Sequence, residues 1–210
     1  MLKRGFDLFA SFIGLVVLLP LLVPIAVLIK LHDGGPIFYR GLRIGRYGKP
    51  FCIFKFRTMV VNAEKIGGPS TADDDPRITT IGKILRKYKL DELSQLINVL
   101  IGDMSLVGPR PEVQQYVDMF TEREKAILSV RPGITDWASV WNPDEGAVLA
   151  GSLDPEKTYL EKIRPEKIRL QLEYVRRHSF WIDIAIIGQT LATILFREKL
   201  GPMRMVKGKE

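Results

Sequence analysis

Residues 8 to 29 carry no charged side chain, and that run limits the fold more than any other feature of the chain. It is long enough to cross the hydrocarbon of a bilayer as a straight helix. A secretory signal fits less well, because the apolar part is too long and no Ala-x-Ala pattern follows it. A buried core helix of this length is unusual for a chain of 210 residues. Two features oppose a simple span. Pro20 and Pro24 lie inside the run, and each removes a helix hydrogen bond and favours a bend. Both flanks are basic: Lys3 and Arg4 come before, and Lys30, Arg40, Arg43 and Arg46 come after. Positive flanks stay on the cytoplasmic side. A re-entrant helix that enters and leaves one leaflet satisfies both flanks, so it is preferred. The straight span is the alternative, since bending in lipid frees backbone groups that need partners.

The remaining length allows one modest core plus attachments. Hydrophobic residues make up 46% of the chain, which is globular rather than disordered. The formal net charge of +7 points to contact with phosphate, carried by nucleotide, anionic lipid or nucleic acid. No nucleic-acid-binding motif is present, and the apolar run argues against that partner. Cys52 has no cysteine to pair with, and His32 and His178 form no motif. A thiol enzyme, a zinc site and a histidine-based triad are therefore poorly supported.

Residues 36–59 read as a β-hairpin, with turn chemistry over 45–50 and a return strand over 51–58. Strand alternation puts Phe51, Ile53, Lys55 and Arg57 on one face and Cys52, Phe54 and Phe56 on the other. Lys55 and Arg57 can form a phosphate clamp, or the strand can be an ordinary amphipathic one. Residues 62–76 have loop composition. A helix over 78–88 follows from Ile81, Ile84, Leu85 and Tyr88, with Arg86, Lys87 and Lys89 at its end. A second helix over 92–100 stops at Gly102. Asp91 then falls at its N-terminus, either as a simple N-cap or as one of two adjacent carboxylates, Asp91 and Glu92, beside a cationic helix end that favours phosphate. One carboxylate can meet a substrate atom while the other holds a metal or a proton. Gly108-Pro109-Arg110-Pro111 and Arg131-Pro132-Gly133 are stiff turns, each presenting one arginine suited to bidentate phosphate contacts. Residues 181–196 form an apolar helix, interfacial or core.

Four stretches together resemble the bacterial sugar transferases, the small monotopic phosphoglycosyltransferases that act on polyprenyl phosphate. They are KRGFDLFAS, PIFYRGLRIGRYGKPFCIFKFRTM, DPRITTIGKILRKYKLDELSQLINVLIGDMSLVGPRPE and RPGIT. They occur in the family's order and cover about two thirds of the chain. The resemblance implies an α+β fold, mainly helical, with a re-entrant N-terminal membrane helix, a small β-hairpin and interfacial amphipathic helices. It divides the chain into the membrane helix (1–32), a catalytic domain at the cytoplasmic face of the bacterial inner membrane (33–200) and a basic tail (201–210). It implies transfer of a sugar-1-phosphate from a nucleotide sugar, with UDP as the expected carrier, to polyprenyl phosphate. This would be the first membrane step of surface-glycan synthesis.

The same resemblance makes Asp91 the nucleophile of a covalent aspartyl intermediate. Glu92 assists it, and both carboxylates serve Mg²⁺. Lys55, Arg57, Arg86, Arg110 and Arg131 are the expected substrate-binding cations. Undecaprenyl phosphate and membrane phospholipid are the expected partners, and a homo-oligomer is left open. The alternative is a non-catalytic membrane anchor or scaffold of a polysaccharide assembly complex, which would need neither Asp91 nor a metal. The chain departs from the family pattern at Leu19, where the family often has Ser. It also departs at Asp136, which ends RPGITD where RPGITG is usual, and near Gln171 and Glu173, where a family aspartate is replaced.

Overall fold

The apolar run folds into α1 (Leu2–Asp33), one helix that continues through Pro20 and Pro24. The computed structural model describes residues 2–195, so the tail expected over 201–210 lies outside the described residues. Residues spaced by helical turns divide α1 into two faces. Asp7, Ser11, Leu22, Ile25 and Ile29 are buried. Phe9, Phe12, Val16, Leu19 and Val23, on the opposite face, are exposed.

The buried face is held along its length by one body. Leu22, Ile25 and Ile29 pack with Phe56 and Leu85; a well-buried side chain of this size contributes about 1.5–3 kcal/mol. Towards the N-terminus the contacts become polar. Asp7 accepts from Ser105 Oγ at 2.8 Å and from the Leu106 amide at 3.2 Å. Lys3 pairs with Asp183 at 2.5 Å and donates to the Val107 carbonyl at 3.0 Å. Arg4 donates to the carbonyls of Val99 and Leu100, at 2.8 and 3.4 Å.

The hairpin is present, divided into two ladders. β1 (Phe38–Tyr39) pairs antiparallel with β4 (Lys55–Phe56), and β2 (Leu42–Ile44) pairs antiparallel with β3 (Pro50–Cys52). The connecting turn places Tyr47 and Gly48 at φ 60° and 74°. Alternation sends Phe51 and Ile53 against Val99 and Met104, and Phe56 towards α1.

α2 (Thr80–Lys87) is capped by Thr79, whose hydroxyl accepts from the Gly82 amide at 3.0 Å. The helix expected over 92–100 starts differently. Lys89 takes a left-handed conformation, a 3₁₀ turn covers Leu90–Gln95, and α3 (Leu96–Ile101) follows, ending at Gly102 with φ 109°. Asp91 is thus not an N-cap: Lys89 holds that position and no side chain caps the turn. The poorer hydrogen-bond geometry of a 3₁₀ turn is supplemented from outside, because Ser94 Oγ donates to the Phe54 carbonyl at 3.1 Å.

β5 (Ser105–Val107) pairs parallel with β6 (Gly133–Thr135). The backbones touch beyond the ladder, and a Cβ on Gly133 would lie 2.1 Å from the Gly108 nitrogen. That contact locks the two arginine-bearing turns together. The remaining α-helices of the described chain are α4 (Gln114–Val117), α5 (Trp137–Trp141), α6 (Glu145–Leu149), α7 (Pro155–Thr158), α8 (Arg164–Arg177) and α9 (Phe180–Leu195). α9 matches the apolar helix expected over 181–196, buries Asp183 and Ile186, and exposes Trp181 and Leu191. The fold is mainly helical, with three two-stranded sheets among the described residues.

Candidate active site

The site begins with one residue of backbone. The Phe54 amide donates to Asn98 Oδ1 at 2.7 Å, its carbonyl accepts from Ser94, and Asn98 Nδ2 donates to the Cys52 carbonyl at 2.9 Å. Asn98 and Ser94 therefore fix the strand that carries Lys55 against the turn that carries Asp91 and Glu92. Lys55 Nζ lies 3.1 Å from Asp91 Oδ2 and 2.9 Å from Glu92 Oε1. Arg110 forks onto Glu92, with Nη1 3.1 Å from Oε2 and Nη2 bonded to Oε1. Asp91 is 2% exposed, whereas the Lys55 and Arg110 side chains are 22% and 30% exposed. The carboxylate lies deep and the cations line its mouth.

These contacts set the charge states. Burial alone would raise the Glu92 carboxyl, but Arg110 and Lys55 outweigh it and hold it well below the usual carboxylate range. Glu92 in turn raises the Arg110 guanidinium against the effect of burial. Glu92 is thus an anion committed to two cations.

Asp136 positions the Arg110 turn. Its Oδ2 accepts from the Arg110 amide and from Gln171 Nε2, both at 3.2 Å, and its Oδ1 accepts from the Ser139 amide and hydroxyl at 2.7 Å. Two places where the chain departs from the family pattern, Asp136 and Gln171, therefore meet behind Arg110. Farther back, Lys167 is 4% exposed and lies 2.9 Å from Glu112 and 3.1 Å from Glu145. Burial would lower its ammonium; the two glutamates overcome this and raise it well above the usual lysine value. Glu112, Glu145 and Lys167 are absent from the sequence-based set. They are far apart in the chain and share no motif spacing, and only the place of Glu112 directly after the Pro-Arg-Pro turn hinted at a role.

Lys55, Asp91, Glu92 and Arg110 thus converge. Arg57 does not join them: it forks onto Asp33, donates to the Pro36 carbonyl at 2.7 Å and is 7% exposed. Arg131 donates to the Gly102 carbonyl at 3.0 Å. Arg86 lies in the last turn of α2, in the electrostatic range of Asp75, and its Nη1 is buried without a hydrogen-bond partner.

Among the described residues no three His, Cys, Asp or Glu side chains gather as a metal site. Two adjacent carboxylates suit a hard cation that takes its other oxygens from substrate phosphate and water. With both Glu92 oxygens held by Arg110, Asp91 is the better-placed ligand.

Residues 1–197 match the family described as bacterial sugar transferase. The chain belongs to that family. It is 40% identical over 198 residues to a UDP-N-acetylgalactosamine-undecaprenyl-phosphate N-acetylgalactosaminephosphotransferase of Aeromonas hydrophila, covering 92% of this chain and 44% of that one. It is 36% identical over 197 residues to an uncharacterized sugar transferase, EpsL, of Bacillus subtilis, covering 94% and 89%. It is 37% identical over 195 residues to a UDP-glucose:undecaprenyl-phosphate glucose-1-phosphate transferase of Escherichia coli, covering 91% and 39%. The chain spans less than half the length of the Aeromonas and Escherichia proteins. Within the family the converged cluster has a direct chemical reading: one recessed carboxylate, a neighbouring one that fixes two cations, and a mouth suited to an anionic substrate.

Proposed function

We propose that this chain transfers a sugar-1-phosphate from a nucleotide sugar to undecaprenyl phosphate through a covalent intermediate on Asp91. The observation that carries the proposal is the recessed Asp91 carboxylate, 3.1 Å from Lys55 and beside the Glu92–Arg110 fork. The names of the relatives support undecaprenyl phosphate as acceptor and a UDP-sugar as donor.

Lys55 and Arg110 hold the donor diphosphate and offset its repulsion by the carboxylates. An Asp91 oxygen bonds to the phosphorus that carries the sugar, and the bond from that phosphorus to the nucleotide oxygen breaks, releasing nucleoside monophosphate. An oxygen of the lipid phosphate then bonds to the same phosphorus, and the bond to Asp91 breaks. Polyprenyl diphosphate-sugar leaves and the carboxylate is restored. Both nucleophiles are anions, so neither step needs a proton removed. Glu92, held ionised, fixes the two cations. Mg²⁺ bound at Asp91, with Glu92 adjacent, would neutralise part of the diphosphate charge.

The test is mass spectrometry of the protein incubated with Mg²⁺ and a panel of nucleotide sugars, without lipid acceptor. A phosphosugar adduct on the Asp91 peptide is expected, absent in Asp91→Asn and absent after chelation. Product formed on adding lipid, with no earlier adduct or nucleotide release, sinks the covalent scheme. Full turnover after rigorous chelation sinks the metal assignment.

We also infer that α1 is a monotopic membrane element with both ends on the cytoplasmic side. A straight helix of this length extends about 48 Å, and the same body grips it at Lys3 and at Asp33. A full span would put those two ends on opposite sides of a hydrocarbon core about 30 Å thick and so force the body that joins them into it. On a Cys52→Ser background, cysteines placed at positions 2 and 34 should both resist an impermeant thiol reagent in intact cells. Labelling at either position from outside rejects this topology.

A further inference from the structure

Both cations that converge at the site are already engaged by carboxylates, Lys55 by Asp91 and Glu92 and Arg110 by Glu92. An arriving phosphate must share them. Lys89 differs. It is half-buried and stands two residues before Asp91 at the start of the same 3₁₀ turn; burial lowers its ammonium from the usual lysine value, and Glu92, Arg110, Asp144 and Lys55 are its electrostatic neighbours. Among the described residues no hydrogen bond or ion pair holds its ammonium.

Its backbone is also unusual, at φ 56° and ψ 22°. Lysine seldom occupies the left-handed region, which suits Gly and Asn. Such strain persists where the surrounding structure imposes it, and it concentrates at functional sites. Here the left-handed residue turns the chain from α2 directly into Leu90–Gln95, so its side chain leaves the backbone two residues ahead of Asp91. A Gly or Asn would make that turn with less strain but would bring no charge.

We propose that Lys89 is a third phosphate-binding cation of this site, near carboxylates but closed onto none in a contact ion pair, so that a substrate phosphate can be engaged before such a pair has to yield. The proposal rests on the reading that the site takes phosphorylated substrates. Two substrates carry that chemistry, the donor diphosphate and the lipid monophosphate.

The experiment is calorimetric binding of pyrophosphate and of a short-chain polyprenyl monophosphate to the full chain in nanodiscs, with thermal midpoints recorded alongside. Lys89→Asn and Lys89→Gly should weaken at least one probe about tenfold, the size expected for losing one charge-assisted hydrogen bond. Their midpoints should hold or rise, because both residues suit the left-handed backbone. Lys89→Arg should recover most of the affinity. Weakening confined to pyrophosphate assigns Lys89 to the donor, and weakening confined to the lipid phosphate assigns it to the acceptor. Unchanged affinity for both probes overturns the proposal, as does a loss that Lys89→Arg fails to recover or a midpoint that falls in both Asn and Gly variants. Wild-type protein that binds neither probe sinks the phosphate-site reading itself. Wild type that binds, with variants that match it, sinks only the role of Lys89.

Discussion

Lys55 and Arg57 leave one short stretch of chain two residues apart, yet they end in different kinds of ion pair. Lys55 is shared between Asp91 and Glu92 and keeps 22% of its side chain exposed. Arg57 spends its guanidinium on Asp33 and the Pro36 carbonyl, and is nearly sealed from solvent. The first arrangement leaves donors for a ligand; the second leaves almost none. Arg57 ties the C-terminal end of α1 to the body, just as Lys3 and Asp183 tie its start. One set of charges lies at the mouth of the candidate site and the other ties α1 to the body.

The strongest way to break this contrast is to neutralise one cation from each set. Arg110→Met should lower turnover about 100-fold or more, as expected for losing a donor to developing charge. Arg57→Met should leave turnover per folded molecule near wild type but cost about 1–2 kcal/mol of stability, discounted because Asp33 is partly hydrated. Steady-state kinetics below the melting range and denaturant titration separate the two. Equal activity losses from both substitutions would erase the distinction.

A smaller effect sharpens it. The folded-state Glu92 carboxyl is depressed, so its contribution to stability is fully present above the ordinary glutamate value of about 4.3 and is lost progressively as pH falls below that. The stability gap between wild type and Glu92→Gln should be flat from pH 7 to 5 and shrink below about 4.3. Thermal melts across that range check it. A gap that closes already between pH 7 and 6 would mean that Arg110 and Lys55 do not hold Glu92 ionised.

Much of this was legible in the sequence where a local rule decides the outcome. The uncharged run became α1, the Gly-rich turn joined antiparallel strands, and Gly102 ended α3. Lys55, Asp91, Glu92 and Arg110 were singled out, and the fold brings them together. The misses share a physical cause, in that partners distant in sequence override local pattern. Alternation placed Arg57 beside Lys55, but Asp33 arrives from α1 and claims it. Helical spacing put Ile84 and Tyr88 in one stripe with Ile81 and Leu85, whereas Ile84 and Tyr88 are 56% and 57% exposed. Asp91 looked like a cap because a regular helix was expected, but the chain turns through Lys89 into a 3₁₀ segment. The set Glu112, Glu145 and Lys167 exists only once α6 and α8 are packed, so no spacing rule announces it.

The pairing of Lys3 with Asp183 also has a consequence in time. The two residues are separated by 180 positions, and a ribosome adds about 5–20 residues per second, so the first waits roughly ten to forty seconds for the second to be made. Throughout that interval the start of α1 lacks this last partner, while Phe56 and Leu85, made earlier, can already meet Leu22, Ile25 and Ile29. Whatever receives the nascent chain must shelter a helix that is greasy on one side and polar at intervals on the other until α9 brings Asp183 to Lys3. Synthesis of this protein is therefore a matter of custody, with α1 held until the last described helix completes the grip.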